Sequence, residues 1–175
     1  MKILLFGSLI AATALAGCGS DISTEVKASS YDGTYLNIGV IGEQPDLHEK
    51  NVKFSTLSFE ELEDTKRVSS KLDAVFITKN NLKQADEEKY VKVYQKLKVP
   101  TFFLETTKGF LPFVSEDLTY ATASEVNDAY VSGYLQEKMD SYRYWEYGLD
   151  NNQKNDQNVK DIYFRIFETI SEVIE

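Results

Sequence analysis

The chain has a single histidine, His48, and a single cysteine, Cys18, among its 175 residues. Two such side chains cannot supply the three or four His and Cys ligands of a standard zinc site. A serine–histidine–acid triad would have to use His48, which sits in a polar stretch and is expected to be solvated. Gly33, Gly39 and Gly42 do not form a G-x-G-x-x-G fingerprint, and no G-x-x-x-x-G-K-[ST] loop is present. The residues therefore point to no catalytic constellation, no metal and no cofactor. The side chains left for chemistry are carboxylates, lysines and amides that follow apolar runs, and a dense group of tyrosines around one tryptophan.

Cys18 has a chemistry of its own. Lys2 precedes Ile3–Ala14, an uncharged and mostly apolar run too short to cross a bilayer, for which about 20 residues are needed. The run ends in Leu15-Ala16-Gly17-Cys18, which resembles a bacterial lipobox. Small residues admit the signal peptidase, and the thiol takes the diacylglycerol. The resemblance implies a lipoprotein signal peptide over residues 1–17 and a lipid on Cys18. It places the protein on the extracytoplasmic face of a cell membrane, with that lipid, palmitate or another acyl chain, as its contact with the bilayer. Stable anchoring takes more than one chain, so acylation of the new amino terminus is expected as well.

Charge narrows the partners. The chain carries 19 basic and 28 acidic residues, and loss of residues 1–17 removes only Lys2. A surface this acidic repels nucleic acid and anionic head groups, so no nucleic-acid partner is expected. Residues 18–34 are small and polar and read as a lipidated cysteine with a flexible tether. Residues 35–175 remain as one domain, long enough to bury a core without disulfides.

The elements that would position the candidate side chains follow from periodicity. Tyr35–Ile41, Val52–Leu57, Ala74–Thr78 and Thr101–Leu104 read as strands, the last two as continuous apolar runs of the kind covered on both faces. Ser58 and Glu61 form a capping box before one helix, and a second is expected over 85–98. Acids lead and bases close both helices, as the helix dipole favours, so these charge runs read as solvated faces. Thr122 and Glu125 form a second capping box, which predicts a long helix to about Tyr147; a final amphipathic helix is expected over 159–173. The fold class expected is α/β: a mostly parallel sheet of 4–5 strands, a flavodoxin-like or Rossmann-like half, with flanking helices and two C-terminal helices. The nine-residue link Glu43–Asn51, with Pro45, is short for a parallel crossover and leaves the pairing of the first strand open.

Ligands of open α/β sheets sit beyond the carboxyl ends of the strands. Here that edge would carry Glu43, Thr78, Asn80, Glu105 and Lys108, a rim suited to a small polar ligand. Two carboxylates about 5–9 Å apart would also suit glycoside hydrolysis, so a carboxylate-dependent envelope hydrolase using Glu43 or Glu105 is the alternative reading. On a helix to Tyr147, Trp145 would turn inward, and Tyr144 and Tyr147 would turn away as a partner surface for an envelope protein or glycan.

Residues 36–106 resemble one lobe of the helical-backbone (cobalamin and siderophore type) substrate-binding lipoproteins of ABC importers. The carrying features are IGVIG, SFEEL, LDAVFIT and KVPTFFLET. Asp73-Ala74-Val75 stands where that family has Pro-Asp, and the chain is about half the family's length, without a second lobe. The absence of a triad, a metal set or a phosphate loop favours a non-enzymatic envelope domain that binds a ligand or partner over the hydrolase.

Overall fold

The computed structural model describes residues 30–126 and 128–175. The expected signal peptide, Cys18 and most of the tether lie outside them. The element order is β1 (Leu36–Ile41), β2 (Val52–Thr56), α1 (Phe59–Leu62), α2 (Thr65–Lys71), β3 (Ala74–Ile77), α3 (Leu82–Ala85), α4 (Glu88–Lys96), β4 (Thr101–Leu104), α5 (Leu111–Val114), β5 (Val131–Lys138), β6 (Ser141–Tyr147) and α6 (Asp156–Ile174).

The six strands form one sheet in the order β2-β1-β3-β4-β5-β6. β2, β1, β3 and β4 run parallel, whereas β4–β5 and β5–β6 are antiparallel. This overturns the expected fold class. The sheet is mixed and six-stranded, not mostly parallel with 4–5 strands, and one C-terminal helix follows it rather than two. The region expected as a long helix to Tyr147 is the β5–β6 hairpin. Its strands carry four tyrosines with Val131 and Trp145, types that suit a pleated surface, and Gly133 sits in its first strand, where a helix would be weakened.

Local chemistry fixes the parallel part. Ser58 accepts from the Glu61 backbone N–H while the Glu61 carboxylate accepts from the Ser58 N–H, so the capping box that opens α1 is complete. The Asp64 side chain then accepts from the Arg67 N–H and starts α2. β1 and β2 pair in parallel across a connection with no helix; its Leu47 packs on the α6 side.

Strand alternation splits the core into two layers. On one face Val75, Ile77, Phe103 and Tyr134 pack under the short helices with Leu62, Val68, Leu82, Tyr90, Tyr94 and Phe113. On the other, Leu36, Ile38, Phe76, Phe102 and Val131 pack under α6 through Ile162, Ile166, Phe167 and Ile170. α6 starts at Asn155, whose side chain accepts from the Asn158 N–H. The packing reaches back to Tyr31, which is buried against Phe167 at 5.4 Å and lies four residues ahead of the expected domain start.

Candidate functional site: a carboxyl-edge cluster and an aromatic face

The expected ligand rim is only partly brought together. After β1 the chain crosses on the α6 side, and after β3 on the side of the short helices, so the gap between the ends of β1 and β3 is where an open sheet would offer a crevice. The protein's own side chains fill it. Asn81 donates to Thr78 Oγ1 at 3.0 Å and to the Ile41 carbonyl at 3.4 Å, and the Thr78 hydroxyl donates to the same carbonyl at 3.3 Å. Gly42 makes this closure possible, with φ +112° and a position where a Cβ would lie 2.0 Å from Thr78 Oγ1. Glu43 and Asn80 are exposed at the margin of the filled gap.

Glu105 lies two strands away from Glu43, with β3 between, so their backbones are separated by about 10 Å. Its φ of +56° places it in the left-handed region that few residues with side chains adopt. Its carboxylate pairs with Lys154 Nζ at 2.6 Å, and that ammonium lies 5.6 Å from the Tyr130 ring centre. The Glu105 bond raises Lys154 above its ordinary value, and burial raises the Tyr130 phenol. The lysine thus stays an ammonium and the tyrosine a neutral phenol. This trio clasps the segment before α6 to the end of β4. It leaves Glu105 committed to Lys154, an arrangement that does not favour the two-carboxylate geometry. Lys108, the remaining rim residue, turns the other way: its Nζ donates to the Ala123 carbonyl at 3.0 Å and lies 5.6 Å from the Tyr120 ring centre.

The aromatic group reads differently once the hairpin replaces the helix. Successive strand residues face opposite sides, so Tyr142 and Tyr144 share one face of β6 and Arg143, Trp145 and Tyr147 the other. Tyr147 is therefore a correction: it is buried, and its hydroxyl makes a 2.7 Å bond with Thr169 Oγ1. Burial pushes its phenol up to about 12. Trp145 is half-buried, 6.0 Å from Phe102 and with the Arg143 guanidinium 5.6 Å from its ring. Tyr144 is exposed as expected, and Tyr142, read from the sequence as core, is exposed beside it.

On this face α4 reaches β5, and Phe110, just ahead of α5, packs on the tyrosines of the hairpin. Phe110 is buried between Tyr134 at 5.5 Å and Tyr144 at 5.0 Å, with Tyr142 at 5.7 Å. Leu111 and Met139 stand exposed at the border. The signal that could have located this face is alternation: Tyr142-Arg-Tyr144-Trp-Glu146 has period two. Among the described residues no helix is long and apolar enough to cross a membrane, and no group of acids and His could hold a metal ion. Comparison with protein-family models, with curated proteins and with solved structures finds no match to this chain.

Proposed function

We propose that this protein is a bacterial surface lipoprotein, exported by residues 1–17, anchored through lipid on Cys18, and binding a partner in the cell envelope through the aromatic face of its hairpin. The observation that carries the binding reading is the pair Tyr142 and Tyr144, 50% and 57% exposed and set on the ring of Phe110. Exposed tyrosines held by packing offer contact area at low ordering cost and recur as interface anchors. The acidic surface suits a domain that stays clear of anionic head groups.

Two measurements test it. Cys18→Ala should lose incorporation of labelled fatty acid and leave the membrane fraction; equal labelling of mutant and parent would end the lipoprotein reading. A photo-cross-linking amino acid at Tyr142, in living cells, should give a discrete adduct, and the same group at exposed Lys83 should not. Equal patterns at the two positions would remove the aromatic face as the binding surface.

A further inference from the structure

β6 ends the sheet, so one side of it pairs with β5 and the other meets no strand. No main-chain group of a loop or turn among the described residues bonds residues 142–146. Every second N–H and C=O of this stretch therefore points away from the sheet without a main-chain partner. Proteins blunt such an edge with lysine, proline, a bulge or a very short strand. The opposite edge, β2, is of that kind: it is five residues long and carries the exposed Lys53. β6 is seven residues long and has neither lysine nor proline. The β5–β6 register shifts only near the tip, between Gln136 and Lys138. Both charges of β6 are taken up within the chain, Arg143 by Glu137 at 2.7 Å and Glu146 by Ser132 Oγ at 2.7 Å.

The strand is also complementary to itself. Two copies set edge to edge about a two-fold axis normal to the sheet run antiparallel and keep the same face up. A residue then lies opposite one of its own parity, because a slip of one position would turn every side chain to the wrong face. Centring the pair on Tyr144 uses all seven residues of β6. Tyr144 meets its own copy, Tyr142 meets Glu146, and Arg143 meets Trp145, with no like charges opposite each other. The last pairing repeats between copies a contact the chain already makes, the Arg143 guanidinium 5.6 Å from the Trp145 ring. Centring on Arg143 would set two guanidiniums opposite, and centring on Trp145 would carry the start of β6 past the end of its copy.

We propose that β6 pairs antiparallel with β6 of a second copy of this chain, centred on Tyr144, and joins two six-stranded sheets into one. The pairing uses the edge and leaves the tyrosine face open, so it goes beyond the partner-binding reading and does not rest on it. The test is disulfide trapping of the full-length chain in intact cells, with copper–phenanthroline as the oxidant, read on a non-reducing gel. Residues directly opposite in an antiparallel pair have Cα atoms about 4.5–5.5 Å apart, within disulfide reach. Tyr144→Cys should give a dimer band that reductant removes. Lys53→Cys, on the other edge, and the parent, with Cys18 its one cysteine, should give at least about tenfold less, since neither sets two thiols within that reach. Tyr142→Cys and Glu146→Cys chains, co-expressed with tags of different size, should give the mixed disulfide, and neither alone should dimerise. This pair keeps the inference testable if Tyr144→Cys is poorly folded. No mixed disulfide, or bands of equal strength from Lys53→Cys or the parent, would overturn the inference. A Tyr144→Cys adduct of any mass other than the dimer's would place a strand of a different protein at this edge and would overturn it too.

Discussion

Tyr147 and Tyr144 are three residues apart and differ in nearly every physical respect. Tyr147 is sealed under α6 and bonded to Thr169, whereas Tyr144 packs on Phe110 and is exposed. Tyr147→Ala should therefore cost about 3–5 kcal/mol, as for other buried aromatic truncations. Tyr144→Ala should cost about 0.5–1.5 kcal/mol, the contribution of one aromatic pair. Urea melts of the two variants check this, and equal losses would contradict the split of β6 into a buried and an open face. Asp86 gives a second residue-scale test. Its Oδ2 accepts from the Tyr120 N–H at 2.8 Å, its Oδ1 is buried with no partner, and burial raises its pKa above 3.8 despite that bond. A raised carboxyl holds its proton more tightly when folded. The stability it contributes is present below 3.8 and is lost as pH rises through its folded value. Asp86→Asn keeps an acceptor for Tyr120 and removes the charge. Its melting temperature should equal or exceed the parent's at pH about 7, and that advantage should vanish near pH about 3. A variant less stable at neutral pH than at acid pH, relative to the parent, would reverse this sign.

At the scale of elements, what could be read from the sequence depended on how closely period and capping agreed. β3 and β4 were legible because AVFI and TFFL are short continuous apolar runs, and α1 because Ser58 and Glu61 satisfy each other's backbone. α6 was legible from its apolar stripe, with its start three residues earlier than expected because Asn155, and not the first apolar residue, caps it. The hairpin was not. Thr122-Ala-Ser-Glu125 has the form of a capping box but sits in a turn, where Thr122 bonds Thr119 instead. Aromatics at 130, 134 and 142 happen to fit helical spacing, and the tip at Met139-Asp140 lacks the Asn-Gly or Asp-Gly that marks a tight turn. The rim residues were placed by the correct strand ends, yet nothing in their types foretold that Thr78 and Asn81 would fill the gap or that Lys154 would reach Glu105 from 49 residues away. Gly133 carries the hairpin's test. A Cβ there would stand 2.7 Å from Phe102 Cε1 and 3.0 Å from Trp145 Cε3. Gly133→Ala should destabilise by about 1–3 kcal/mol, as overpacking does. On the helix expected from the sequence the same change would stabilise, because alanine is the better helix former. The sign of the shift in the urea midpoint therefore discriminates between the two.

For the whole molecule, one sheet separates two cores, and the two are closed by different means. The short helices between β2 and β4 close one by following the sheet, while a single helix, α6, closes the other from the end of the chain. The helix-free link between β1 and the edge strand β2 is held on that second side by Tyr31. The Tyr31 ring packs edge-on against Phe167, its hydroxyl donates to the Thr34 carbonyl at 3.0 Å and bonds Ser171 Oγ at 3.3 Å, and its N–H donates to Glu49 at 3.1 Å. Residues just ahead of β1 thus pin the first strand, its link and the last helix together, so the folded domain begins before the expected Tyr35. A chain beginning at Ser30 should melt cooperatively, at the same temperature with or without chelator or reductant, since its core needs no disulfide and the described residues hold no metal cluster. A chain beginning at Tyr35 should lose about 2–5 kcal/mol, the range for removing a buried large side chain, and melt several degrees lower. Tyr31→Phe in the longer chain should account for only about 1 kcal/mol of that loss, the share of one hydrogen bond. If the chain from Tyr35 melts with the chain from Ser30, residues 30–34 are part of the tether and the closure of the second core rests on α6 alone.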